Sequence, residues 1–315
     1  MKWFKYLITI IIIVLVGINF DKITTIISEI LESNPKIIIS DPNSYYKDVN
    51  YSFVKLSKDY IPYSKQDIKD IFYSILNSGY DTFTFYCPSE YTSCLRDIAE
   101  LSNDKNTLTN INNFVSPFNS FNNVKVIYST TGEVNIEITK LYNEDEINSV
   151  KKRMEEIENE VYSEEMSDED KILVIHDYII NHTKYDELRK DGNSPYKSNI
   201  AYGSLIEGYA VCGGYADAMA LFLDSLGIPN FKISSDSHVW NAIYINNKWL
   251  HLDLTWDDPV TLNSDVQTLT HKFYLIDTKT LEDYHISDHE FDKTIYTEVL
   301  EQKLIVKQLA LFTSR

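Results

Sequence analysis

Apolar residues recur at intervals of three and four along some stretches of this chain and at intervals of two along others, which marks out helices and strands. Ser64 is placed to cap a helix that buries Ile68, Ile71, Phe72, Ile75 and Leu76 and stops at Gly79. "DTFTFYC" alternates as a strand does. "NVKVIYSTTGEVNIEITKLY" reads as two strands about a turn at Thr131-Gly132. These elements predict a small α+β unit from about 36 to 142. Asn143 and Glu146 form a capping-box pattern ahead of Ile147, Val150, Met154, Ile157 and Val161, a single narrow apolar stripe. Ser167 and Asp170 open the next helix, "KILVIHDYIINHTKYD". A further helix runs from Cys212 to Leu226, with Ala216, Met219, Ala220 and Leu223 at core spacing. Gly227 and Pro229 end it. "HVWNAIYI" and "KWLHLDLTW" then flank Asn246-Asn247, a two-residue hairpin signal.

The first twenty residues follow neither period. Lys2 and Lys5 precede an uncharged run from Tyr6 to Phe20. The run is short for a membrane span, which takes about 20 apolar residues. No small-residue cleavage site follows it. The expectation is an uncleaved signal anchor over 1–22, N-terminus inside, with the rest of the chain extracytoplasmic; cleavage would give a secreted protein. Ile23 to Leu31 reads as an amphipathic linker helix, broken by "SNPKIIISDPNS". The expected organisation is anchor 1–22, N-terminal α+β region 23–142, main domain 143–300 and amphipathic tail 301–315.

Charge narrows the function classes. There are 47 acidic and 29 basic residues, a net charge of -18, with no basic stripe, so nucleic acid is excluded as a partner. The three cysteines split by position. Cys87 and Cys94 lie in the N-terminal region, Cys212 in the main domain. Two reduced residues are the first expectation for Cys87 and Cys94, and a disulfide the alternative. A bridge requires the intervening "PSEYTS" to fold back until the Cα atoms are about 4.4–6.8 Å apart.

Cys212 stands in the first turn of its helix, where the partial positive charge of the helix end favours a thiolate. Gly213 and Gly214 leave room for another backbone beside it. If Asn246-Asn247 is a two-residue turn, Ile245 faces Lys248 and Trp240 faces Asp253. His238, Trp240, His251 and Asp253 then share one face, with His238 and Asp253 as diagonal neighbours. A one-residue slip would separate them. Singly, the thiol is a small buried hydrophobe, the histidine a satisfied core residue and the aspartate a cap. Together they form a nucleophile, a base and an orienting acid.

"GYAVCGGYADAMALFLDSLGIP", "HVWNAIYINNKWLHLDLTW" and the spacing between them resemble the core of the transglutaminase-like superfamily of papain-type thiol enzymes, over about residues 165–295. The resemblance implies an α+β fold in which a helix bearing the cysteine packs on an antiparallel sheet bearing the histidine and the acid. It assigns Cys212 as nucleophile, His238 as base and Asp253 as orienting acid. Tyr215 matches a tyrosine of the family's helix start, and Tyr202 an upstream aromatic that is a weak candidate for the oxyanion site, beside the Cys212 N–H. "HKFYLIDTKTLEDYHISDHE" is similar to the tail of bacterial members. Gly213, where an acidic residue is common, and Leu254, where proline or valine is common, are departures that leave substrate preference open. The implied chemistry is acyl transfer through a Cys thioester on amide bonds of a protein or peptide, without cofactor or metal.

Two other readings compete. Asp253, Asp257, Asp258, His285, His289 and Glu290 offer metal-ligand types, but no spacing among them matches a helical zinc motif, and Asp257-Asp258 before Pro259 reads as a turn. A non-catalytic binding module on the same fold is the other, and the presence of all three triad residue types argues against it.

Overall fold

The computed structural model describes residues 37–258 and 269–304, together with Lys22. The expected anchor, its linker helix and most of the tail lie outside the described residues. Among the described residues no helix is long and apolar enough to cross a membrane.

The chain first builds a three-stranded antiparallel sheet with helices against it. Helix α1 (Lys65–Ser78) starts at Ser64, whose hydroxyl accepts the Asp67 N–H, and ends at Gly79 in the left-handed region, φ 72°. Strand β1 (Thr82–Tyr86) follows, then α2 (Cys94–Asn103) and α3 (Lys105–Asn112). β2 (Phe121–Tyr128) and β3 (Glu133–Lys140) form the hairpin predicted about Thr131-Gly132, and β3 takes the centre in the order β1-β3-β2. The alternate residues Val134, Ile136 and Ile138 turn inward.

Cys87 and Cys94 are joined by a disulfide, Cα atoms 5.8 Å apart. This corrects the expectation of two reduced thiols. Two tight turns, Tyr91 N–H to Pro88 C=O at 3.1 Å and Cys94 N–H to Tyr91 C=O at 3.0 Å, return the loop to the end of β1.

Helix α4 (Glu144–Val161) carries the full capping box of Asn143 and Glu146. α5 (Asp168–His182) carries one formed by Ser167 and Asp170. Two short strands, β4 (Lys184–Tyr185) and β5 (Tyr209–Ala210), pair in parallel. Helix α6 (Cys212–Ser225) is almost entirely buried beyond its first turn. It packs against a second antiparallel sheet of β6 (Asn230–Ser234), β7 (Val239–Ile245) and β8 (Lys248–Leu252), in that order. Short helix α7 (Leu254–Asp257) follows, then α8 (Thr278–Asp283) and α9 (Lys293–Glu301).

The β7–β8 turn has the predicted geometry. Asn246 and Asn247 both have positive φ, 52° and 62°, and Ile245 pairs with Lys248. Ile243, Leu252 and Leu254 enter a core shared with Ile175, Ile179, Met219 and Phe222 from α5 and α6. Residues from Ser40 onward form one compact unit. Tyr51, Phe114, Phe231 and Tyr296 stack in its interior, bringing the N-terminal segment, the end of α3, β6 and α9 together. Asn113 fixes the same junction: its C=O accepts from Lys232 N–H at 2.9 Å, and its side chain donates to Ser234 and Tyr296.

Candidate active site

The first turn of α6 is built for close approach. A Cβ on Gly213 would stand 2.7 Å from the Asn199 carbonyl oxygen, and one on Gly214 would stand 2.4 Å from that of Ser198. Both distances are below any real Cβ contact, so the two glycines let the 198–200 backbone lie against the helix start. Cys212 is half-buried there and is the free cysteine of the chain. Val211, the N-cap, offers no side-chain cap, and the Cys212 N–H finds no backbone acceptor among the described residues. It remains available to an incoming oxygen.

His238 immediately precedes β7, and Asp253 immediately follows β8. The register set by the hairpin puts His238 Nε2 2.6 Å from Asp253 Oδ2, with both residues buried. The Cys212 side chain acts on the same imidazole, and with Nε2 committed to Asp253, Nδ1 is the nitrogen left for the sulfur. The three residues singled out in the sequence are therefore brought together in one site.

Burial alone would push the imidazole of His238 down. The charge of Asp253, the hydrogen bond to it, and the hydrogen bond and charge of Cys212 outweigh that and push it up to about 10. Burial would likewise push the carboxyl of Asp253 up. The charge of His238 and hydrogen bonds from His238 and His289 reverse this and hold it at about 2. The pair is an imidazolium and a carboxylate at neutral pH.

Asp253 has two further roles. Its Oδ1 accepts the N–H groups of Thr255 at 3.0 Å and Trp256 at 3.2 Å, capping α7. Its Oδ2 also accepts from His289 Nε2 at 2.8 Å. His289 arrives on a short 3-10 turn, is buried, and is enclosed by Trp240, Trp256 and Phe273. Its Nδ1 is buried without a partner, so Nε2 carries the proton given to Asp253. In the sequence His289 stood only among metal-ligand types; no periodicity pointed to it. Of that set, Asp253 and His289 do meet, with His238 rather than with one another's sequence neighbours. Asp257 ends α7 and is fully buried, and Asp258, at the bend after it, accepts the Tyr215 hydroxyl at 2.6 Å.

His251 and Trp240 share the face of His238, as the alternation predicts. Trp240 Nε1 donates to His251 Nδ1 at 3.0 Å, and burial pushes the His251 imidazole down to about 3. It is a neutral packing residue. Tyr202 stands just ahead of a π-helical turn (Gly203–Glu207), half-buried, with the Lys197 ammonium 5.8 Å from its ring. Among the described residues no hydrogen bond joins it to Cys212 or His238. Behind the site, Asp217 of α6 is buried with Lys232 of β6 at 2.6 Å and the Tyr142 hydroxyl at 2.8 Å, fixing the helix to the sheet.

Residues 155–254 match the family model described as Transglutaminase-like superfamily. The match spans Cys212, His238 and Asp253. Among solved structures the chain is similar to one described as a TGase, 16% identical over 53% of this chain and 50% of that one, TM-score 0.31. It is also similar to a candidate cysteine protease from Cytophaga hutchinsonii, 16% identical over 42% of this chain and 61% of that one, TM-score 0.27. The chain thus covers about half of the first of these proteins and under two thirds of the second. No curated protein matches it.

Proposed function

We propose that this chain, whose residues 155–254 form a transglutaminase-like domain, is a thiol acyl-transfer enzyme acting on amide bonds of proteins or peptides outside the cytoplasm. The observation that carries this reading is the meeting of Cys212, His238 and Asp253 in one site, with an uncommitted N–H at the helix start. Cys212 as thiolate attacks the amide carbonyl, and the developing oxyanion takes the Cys212 N–H. His238 gives its Nδ1 proton to the departing amine as the C–N bond breaks, leaving a Cys212 thioester. Neutral His238 then draws a proton from water or from a second amine, which attacks the thioester and releases the sulfur. Asp253 does not take the proton. It keeps hydrogen on Nε2, aims Nδ1 at the sulfur and stabilises the imidazolium.

The exposed Trp256 flanks His289, the second histidine held by Asp253. The export reading is supported by the lysine-flanked apolar N-terminus and by the Cys87–Cys94 disulfide, since oxidising compartments preserve such bonds. It predicts that protease added to intact cells digests the domain; full protection of the chain would remove that part of the proposal.

The test of the reaction uses a labelled primary amine and a cell-surface protein extract. Covalent transfer of the amine indicates transamidation, and release of new peptide termini or of ammonia without transfer indicates hydrolysis. Neither product, together with a Cys212 no more reactive toward iodoacetamide than a free cysteine, would mark a binding module instead.

A further inference from the structure

A second cluster of histidine and carboxylate groups joins α5 to the segment beyond α7, and the acyl-transfer chemistry does not use it. His176, on α5, has no exposed side-chain surface. Its Nδ1 lies 2.8 Å from Asp177 Oδ1, and its Nε2 lies 3.2 Å from Asp257 Oδ2. His271 Nε2 lies 2.8 Å from the same Asp177 oxygen. One ligand atom from each of His176, Asp177 and His271 falls within 4.8 Å of the other two.

Proton placement decides what this cluster does. Asp257 is wholly buried, and its Oδ1 already accepts the Phe273 N–H at 2.9 Å and the Thr270 hydroxyl at 3.0 Å. Its Oδ2 faces His176 Nε2, so that nitrogen carries the hydrogen. In the neutral ring Nδ1 then holds a lone pair, and it points at a carboxylate oxygen that is itself an acceptor and that His271 also faces. Electron pairs converging in this way need a cation between them, either a proton or a metal. A buried carboxylate holding the far nitrogen of a histidine is the support that metal-bound imidazoles use. The Tyr274 ring packs 5.3 Å from that of His176 and 5.8 Å from that of His271. Asp177 and His271 side chains are 32% and 44% exposed, so an ion and its remaining water ligands can reach the cluster.

We infer that His176 Nδ1, Asp177 Oδ1 and His271 Nε2 form a binding site for a divalent transition metal of the zinc type, with Asp257 orienting His176. Two imidazoles and one carboxylate suit zinc, cobalt or nickel and not calcium or magnesium, which take oxygen ligands. This differs from the acidic set weighed in the sequence, of which only Asp257 takes part here, as a support rather than a ligand. The consequence is mechanical. Asp257 is the last residue of α7, whose first turn is capped by Asp253. A metal pinning His176 therefore holds the C-terminal end of that short helix through Asp257, while the orienting acid holds its N-terminal end.

The test uses the full chain stripped of metal, titrated with Co2+ and followed by visible absorption, with Zn2+ followed by calorimetry and thermal unfolding. The expected result is one equivalent bound, a ligand-field band without a thiolate-to-cobalt charge-transfer band, and a rise in Tm. His271→Ala and Asp177→Asn alter partly exposed groups, so both variants should fold. Each should weaken binding by more than about 100-fold, beyond the roughly 10–100-fold of a lost supporting contact, and should abolish the Tm rise. No uptake by the wild type would overturn the inference and leave a proton bridging the cluster. Equal uptake by both variants, or a charge-transfer band placing the metal on Cys212, would overturn it as well. Alkylation of Cys212 in the same variants reads the catalytic proposal separately.

Discussion

Replacing Asp253 by asparagine changes one oxygen to an amide nitrogen and little else in shape. Asp253 uses both oxygens as acceptors, Oδ2 for two histidine N–H groups and Oδ1 for two backbone N–H groups. The substituted side chain has a single acceptor oxygen. If that oxygen keeps the cap of α7, the amide N–H2 faces His238 Nε2, which must lose its hydrogen to accept. The ring's remaining proton then moves to Nδ1, against the sulfur, and the neutral imidazole can no longer take the thiol proton. The same exchange in a serine triad lowers turnover by roughly 10⁴-fold, about 5.5 kcal/mol. We expect a loss of that order in kcat/KM here, less than for His238→Ala. The imidazole of His238 should fall from about 10 toward its ordinary 6.5, because the Asp253 charge is the largest influence raising it. Histidine proton NMR across a pH titration reads this directly. Stability should follow. A histidine held above 6.5 stabilises the fold fully below that pH and loses the contribution as pH rises through about 10. The variant should lose this alkaline slope in urea unfolding. Wild-type activity together with an unmoved His238 titration would refute the argument.

The remaining predictions concern the supports. Lys232→Met leaves Asp217 buried opposite only the Tyr142 hydroxyl, and should cost about 3–5 kcal/mol in urea unfolding. Lys232→Met combined with Asp217→Leu should recover much of that loss; no recovery would show that the pair is not the cause. Thiol titration of the non-reduced, unfolded protein should count one free thiol, at Cys212, and three after reduction. Three free thiols without reduction would exclude the bridge.

What the sequence carries about this site is mostly local backbone geometry. Asn246-Asn247 forces a two-residue turn, the turn sets the register, and the register alone brings His238 to Asp253 across two strands. Gly213 and Gly214 mark a close backbone approach before its partner, the 198–200 segment, is known. The parts that were not legible depend on chain paths with no period. His289 reaches Asp253 from a 3-10 turn 36 residues away. His176 sits on an apolar helix face and looks like any core histidine until Asp257 and His271 are placed around it. Strand β6 has no reading in the sequence pattern, so nothing there marks Lys232, whose buried ammonium ends on Asp217. Cys87 and Cys94 meet only because the loop between them makes two tight turns, which its composition permits without requiring.

The central claim is that Cys212 forms a thioester with the help of His238. The most direct measurement is peptide-mapping mass spectrometry of the protein quenched in acid during turnover of a surface-protein extract. The account predicts an acyl adduct on the Cys212 peptide, released by hydroxylamine and absent in Cys212→Ala and His238→Ala. Products formed by Cys212→Ala at the wild-type rate, with no adduct on the wild-type peptide, would contradict it.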